Sequence, residues 1–335
     1  MKAEAVVFTA PHEVAYETIE CPDPGPEDVV VRVLHSWISN GTEGSYLRGE
    51  RIAGDTAFRE GDPWPFPIVS GYQKIGYVES YGANVTDLEK GELVFAVCGN
   101  VCGMFESWAG HVNPSVTPRR QVFKLPSAPE PLAYAGLVLT QVGYNCGSRS
   151  PLRIGDKAIV IGDGLVGQWA AQTLAWRGAH VLLVGRHADR LRHFSRKPFQ
   201  HVHNLKDDPD WIAAANKLFP ERAAVAVDTV GAARVMEDFF HVLPRFGHAV
   251  SAGFYGTADA VALQPLRYGE LSIDLVSGWQ PERMIETIRL IAGGYLETLP
   301  LITHHFPARK AAEAWTLIES KSEPVLGVIL DWEEA

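Results

Sequence analysis

The chain is predicted to be an α/β protein with two domains: a doubly wound parallel sheet and a smaller unit of short antiparallel strands. Three observations predict this. Its 335 residues are more than one ordinary core accommodates. The early segments "AEAVVFT", "DVVVRVLHSWI", "GYVESYG" and "ELVFAV" alternate apolar and polar residues between Gly, Pro and Asp breakers, as strands do. From about Leu137 the rhythm becomes apolar strand, glycine, helix, and a parallel sheet needs that order for its crossovers.

In order along the later part, "VLTQVGYNCGSRS" reads as a helix. "KAIVIG" reads as a buried strand, "LVGQWAAQTLAWRG" as a helix and "HVLLVG" as a second strand. "AAVAVDTVG" and "GHAVSAGFYG" repeat the pattern. After "LSIDLVSGW" come two amphipathic helices, "ERMIETIRLIAGG" and "PARKAAEAWTLIES", and a closing strand, "GVILDW".

Composition excludes several classes. Apolar residues make up 46% and charged residues 21%, as in a soluble globular chain. The net charge of −10 and the lack of a Lys/Arg run argue against nucleic-acid or anionic-membrane partners. The opening "MKAEAVVFTAPHE" reads as a strand rather than a signal peptide, and no apolar run is long enough for a membrane span. Four cysteines, Cys21, Cys98, Cys102 and Cys146, make no disulfide framework in a chain of this length. A cytoplasmic protein is expected.

"IVIGDGLVGQWAAQTL" places Gly162, Gly164 and Gly167 in the spacing G-x-G-x-x-G, after a strand and before a helix. Gly162 permits the turn, Gly164 lets backbone approach a pyrophosphate, and Gly167 lets the helix pack on the strand. The N–H groups at the helix start then face the phosphates. At the end of the next strand an acid would bind the ribose of NAD. Here "VLLVGRHADR" has Gly185 at that point, followed by Arg186, His187 and Arg190. Arginines bind a 2′-phosphate, so NADP is the expected cofactor and NAD the alternative.

At this point the chain resembles the medium-chain dehydrogenase/reductase family, the alcohol dehydrogenase-like proteins. The resemblance rests on "NGTEGSYLRGE", "VSGYQKIGYV", "IGDGLVG", "VDTVG", "GFYG" and "LITHHFPARKAAEAWTLI…GVILDW". It implies a GroES-like catalytic domain from residues 1–140 and 280–335, with a Rossmann cofactor domain at 141–279 between them. It also brings Leu165, Val166, Val230, Gly231, Gly253, Phe254 and Tyr255 to the cofactor site, and implies a homodimer. Within the family, the stretches 39–43, 71–73, 94–105, 253–255, 279–282, 301–304 and 330–332 resemble the bacteriochlorophyllide a dehydrogenase branch. Gln73 and the segment "RIAGDTAFREGDPWPFP" depart from it.

Zinc members of the family carry a loop like C-G-T-D-L-H-x-x-x-G, which here reads Asn40-Gly41-Thr42-Glu43-Gly44-Ser45-Tyr46-Leu47-Arg48-Gly49. The cysteine ligand becomes Asn40. The G-H-E motif becomes Gly71-Tyr72-Gln73, and the third ligand falls near Val138 and Leu139. An amide, a phenol and alkyl groups do not supply zinc with ligands, so no zinc is expected. Thr42 matches the family's proton-relay hydroxyl. Tyr72 could donate to a carbonyl oxygen, especially if nearby positive charge lowers its pKa. Glu43 matches the acid beside the relay. Asn40 could bond substrate or Tyr72, and Ser45, in the place of the relay histidine, could pass a proton outward. Trp37, Trp64, Phe66, Trp108, Tyr255 and Trp279 lie in segments that edge the family's cleft.

The resemblance implies a zinc-independent, NAD(P)(H)-dependent oxidoreductase interconverting a secondary alcohol and a ketone, with a cyclic or ring-bearing substrate. The alternatives are an enoyl or quinone reductase and a non-catalytic cofactor-binding protein.

Overall fold

The computed structural model describes residues 1–54, 56–127, 130–194, 197–255 and 260–332. The chain divides into two compact units, one of Met1–Val138 with Ile302–Ala335 and one of Leu139–Leu301. The helix Pro281–Ala292 lies in the second unit. Beyond it the Glu297 carbonyl accepts from Trp169 Nε1 at 3.1 Å, and its N–H donates to Gln172 Oε1 at 2.8 Å. These bonds tie the segment beyond that helix to the helix Leu165–Trp176.

The second unit holds six parallel strands in the order Gln200–Asn204, His180–Gly185, Lys157–Ile161, Val225–Asp228, His248–Ser251, Ser272–Leu275. The strand 200–204 is absent from the sequence reading, because "QHVHN" has no apolar alternation. Burial along the central strands switches face at each residue. Ala158, Val160, Val181, Leu183, Val225 and Val227 join one core, while Ile159, Ile161, Leu182, Val184 and Ala226 join the other. Both faces are covered, which explains why these strands are apolar throughout. Helix Leu137–Ser148 meets helix Leu165–Trp176 through Gly143 and Gly147. A Cβ on Gly143 would stand 2.5 Å from the Trp169 Cβ.

The first unit is built on a sheet in the order Val122–Lys124, Leu93–Ala96, Lys74–Tyr81, Asp28–Ile38, Gly327–Asp331, Ile302–Pro307, with Ser115–Pro118 also paired to Asp28–Ile38. The last two strands run parallel to each other, and the rest pair antiparallel. Among the described residues no helix is long and apolar enough to cross a membrane.

One core residue of this unit is a lysine. Lys74 is 0% exposed, and its ammonium donates to the carbonyls of Val97 at 3.1 Å and Ala109 at 3.2 Å. Burial pulls its pKa down to about 8, and nearby Cys98 and Cys21 offset this only in part. Unfolded, the group keeps its proton to 10.5. Between the two values the unfolded chain binds more protons, so stability rises with pH across that window, by about 3 kcal/mol in full. Urea unfolding from about pH 8 to about pH 10 should show that rise in the wild type and lose it in Lys74→Met. Parallel pH profiles for the two proteins would mean that the lysine titrates normally.

Candidate functional site

In the first unit the stretch read as a loop is a helix, Asn40–Leu47. Glu43 starts it: its N–H donates to Ser39 O at 2.9 Å, and its Oε1 accepts from Ser39 N at 2.7 Å. A carboxylate in a first turn also meets the positive end of the helix. Its Oε2 lies 2.9 Å from His111 Nε2, and both residues are buried. His111 Nδ1 lies 2.8 Å from Ser36 Oγ, which also accepts from Trp332 Nε1 at 2.8 Å. Glu43 is thus bound on both oxygens and holds the site's backbone in place.

The same histidine explains Gly71. Its φ is +85°, and a Cβ there would stand 2.6 Å from the His111 ring. Tyr72 follows, and its O–H donates to Ser39 Oγ at 2.6 Å. Burial pushes the Tyr72 pKa well up; the Ser39 and Thr42 hydroxyls and the Arg51 charge pull the other way and are outweighed. The condition of a phenol pKa lowered by positive charge is therefore not met: desolvation exceeds the pull of the cation. Tyr72 stays protonated and serves as an O–H donor. Gln73 is buried and donates to Trp37 O at 3.2 Å.

Asn40 Nδ2 donates to Leu326 O at 2.9 Å, while its buried Oδ1 has no partner among the described residues. Ser45 does not lead outward. It is 2% exposed, donates to Thr42 O at 2.7 Å and accepts from Nε of the buried Arg51. Arg51 also donates to Gly54 O at 2.9 Å. Beyond the helix, Trp64 is 58% exposed and packs against Phe66 at 5.4 Å and Phe58 at 6.4 Å between ring centroids. Trp37 and Phe66 are core residues.

In the second unit, Gly162, Gly164 and Gly167 stand at the carboxyl end of the strand Lys157–Ile161. Gly162 has φ +115°, and a Cβ on Gly167 would stand 1.9 Å from Gly162 O. A Cβ on Gly164 would meet nothing within 4 Å, so the space beside it is open. Leu165 and Val166 begin the helix that follows. The loops after the next two strands touch: a Cβ on Gly253 would stand 2.1 Å from the backbone of Gly231. Asp228 Oδ1 accepts from Val230 N at 2.8 Å. The Tyr255 hydroxyl donates to Asp228 Oδ2 at 2.5 Å and lies 2.7 Å from Ser251 Oγ. Burial raises the pKa of both Asp228 and Tyr255, so the tyrosine remains a donor to the aspartate. Tyr255 thereby fixes these loops, with Phe254 beside it.

Gly185 is filled from the side. A Cβ there would stand 2.4 Å from Asp163 Oδ2. Arg186 is exposed, and Arg190 and His187 are partly so.

Sequence reasoning missed Ser39, His111, Arg51 and Asp163. Ser39 and Asp163 lay inside the quoted motifs without a role. His111 stands 68 residues from Glu43, and nothing local marks it.

The family described as zinc-binding dehydrogenase matches residues 166–293. The 2-desacetyl-2-hydroxyethyl bacteriochlorophyllide A dehydrogenases of Cereibacter sphaeroides and Rhodobacter capsulatus are 28% and 29% identical to the chain. The first match covers 99% of each chain and the second 100%. The alcohol dehydrogenase TADH from Thermus sp. ATN1 superposes with a TM-score of 0.82 at 20% identity, over 98% of this chain and 99% of that one. The chain is thus similar to zinc-binding dehydrogenases over residues 166–293 and to bacteriochlorophyllide dehydrogenases over nearly its whole length. Its fold is the GroES-like and Rossmann pair of the alcohol dehydrogenases.

Gly164→Ala provides a test of the glycine loop. Because the added methyl meets no protein atom, the melting temperature should stay unchanged, while nucleotide affinity falls about tenfold or more as the methyl enters the pyrophosphate space. Calorimetric titration of the variant with NADPH measures it. Wild-type affinity in the variant would remove the loop from the binding site.

Proposed function

We propose that the protein is a zinc-independent, NADP(H)-dependent dehydrogenase that interconverts a ring-bearing secondary alcohol and its ketone. The observation that carries this reading is the hydroxyl cluster in which the Tyr72 phenol donates to Ser39 Oγ at 2.6 Å beside Thr42. It stands on the residues that align with a metal-binding set in zinc members.

The donor chemistry does not fit a zinc ion. The Asn40 amide nitrogen is engaged with Leu326 O, Tyr72 holds its proton, and Val138 is aliphatic. No step is therefore routed through a metal. The open space at Gly164 and the glycine turn at Gly162 fit a dinucleotide, whose nicotinamide, when bound, accepts or supplies the hydride. Gly162, Gly164, Gly167, Leu165 and Val166 would hold its phosphates. Val230, Gly231, Gly253 and Phe254 would border it, with Tyr255 bracing them.

In the reducing direction a ketone oxygen needs a proton as hydride reaches its carbon. Tyr72 and Thr42 supply O–H hydrogen bonds to that oxygen as its charge develops, Ser39 orients the phenol, and the proton that completes the alcohol comes from solvent water. In the oxidising direction Asn40 Oδ1, buried with no partner among the described residues, can accept a hydrogen bond from the alcohol O–H and orient it, and the released proton passes to solvent water. Two neutral donors on one oxygen stabilise the developing charge without a Lewis acid. The Trp64, Phe58 and Phe66 cluster, exposed at Trp64, supports a substrate with a ring face. The names of the two bacterial relatives, which specify a hydroxyethyl group on a bacteriochlorophyllide, support the same class.

Tyr72→Phe and Thr42→Val should each lower turnover about a hundredfold and leave NADPH affinity nearly unchanged. Ser39→Ala should lower turnover less, since Tyr72 keeps its own proton. The Tyr72→Phe, Ser39→Ala double variant should lose less than the product of the single losses. Cofactor oxidation with a panel of ketones, aldehydes and enones reads these effects and identifies the reaction class. A fully active Tyr72→Phe would reduce Tyr72 to part of the pocket wall, and turnover of enones alone would indicate a double-bond reductase.

A further inference from the structure

Asp163, the residue between the first two glycines of the loop, reaches across to the neighbouring strand. Its Oδ2 accepts from the backbone N–H of Arg186 at 2.7 Å and of His187 at 2.8 Å. His187 Nδ1 lies 3.0 Å from Oδ2 and 3.1 Å from Oδ1, and Arg190 reaches Oδ1 at 3.5 Å. The aspartate is 5% exposed. Its carboxylate fills the space in which a side chain at 185 would begin, since a Cβ on Gly185 would lie 2.4–2.6 Å from Asp163 Oδ2, Cβ and Cγ. An acid at 185 is sterically incompatible with Asp163 in this position, so the two residues form a coupled pair.

We propose that Asp163 is the positioning residue for cofactor selectivity: it closes off the acid position and aims Arg190 at the 2′-phosphate of NADP. This rests on the NADP reading above. The carboxylate binds Nδ1 of His187 and holds that ring against the loop. It also holds the guanidinium of Arg190, whose backbone carbonyl is fixed by Gln168 Nε2 at 2.8 Å. Arg186 stands exposed beside them. By charge alone a carboxylate repels a phosphate. Here two backbone N–H groups, an imidazole and a guanidinium converge on a carboxylate with almost no solvent contact, so its field outward is offset and its effect on geometry prevails.

The experiment measures dissociation constants for NADPH and NADH by nicotinamide fluorescence. Wild type, Asp163→Asn, Gly185→Ala and Arg190→Gln are compared, with the Asp163→Asn, Arg190→Gln double variant. Asp163→Asn keeps the shape but cannot accept from all four donors. NADPH affinity should fall about tenfold or more, with NADH affinity held within about threefold. Gly185→Ala leaves the aspartate in the sequence but displaces it, and should shift the ratio in the same direction. In the Arg190→Gln background, Asp163→Asn should move the ratio little further, because it acts through that arginine. Equal loss of both nucleotides would make Asp163 a loop brace only. An unchanged ratio, or tighter NADPH binding in Asp163→Asn, would overturn the proposal. The wild-type ratio judges the NADP reading separately: tighter binding of NADH than NADPH rejects that reading, whatever the variants do.

Discussion

A carboxylate without access to water must be met by donors, and the arrangement around Glu43 is what the catalytic unit depends on. One oxygen takes the Ser39 N–H and the other takes His111. Through His111 the contact passes to Ser36 and then to Trp332 near the chain end. Three separated parts of the sequence, residues 36–43, His111 and Trp332, are thereby fastened at the helix Asn40–Leu47. Removing one partner leaves a buried polar group unsatisfied, which costs about 1–3 kcal/mol. The helix can therefore keep its place without a metal to gather it. Gly71 is a consequence, because only a residue without a Cβ leaves room for the imidazole.

Within that frame the proposed chemistry rests on neutral groups. Tyr72 is desolvated enough to keep its proton, and the Arg51 charge does not reverse this. A phenol of this kind donates and does not ionise, so in the proposed reaction the cluster acts through hydrogen bonds to a developing oxyanion rather than as a base of low pKa. The nucleotide unit applies the same device: a buried carboxylate, Asp163, is met by backbone and side-chain donors and sets the positions of cationic groups.

Most of the architecture was legible because its periodicities are strong. Strands such as "KAIVI" and "HVLLVG" are apolar on both faces since both faces are buried, and the glycine spacing places the turn between strand and helix. The exceptions have physical reasons. "QHVHN" pairs at the sheet edge through backbone bonds and carries no apolar signal. "NGTEGSYL" has two glycines and little hydrophobicity, yet it is helical because tertiary contacts to Glu43 override propensity. The candidate site was legible where a motif survived, at Thr42, Tyr72 and the glycine loop. His111, Arg51 and the role of Asp163 were not, because each acts across space on a residue that no local pattern links to it. The direction of the Tyr72 shift was likewise out of reach, since burial of a side chain is a property of the fold.

The central assignment is that hydroxyls do the work a metal does in zinc members of the superfamily. Elemental analysis of purified protein, made alongside its NADPH-dependent turnover of a ring-bearing ketone before and after dialysis against a chelator, tests it most directly. The expected result is zinc well below one ion per chain, about a tenth or less, with turnover unchanged by the chelator. About one zinc per chain, lost together with activity and restored with it, would contradict the assignment.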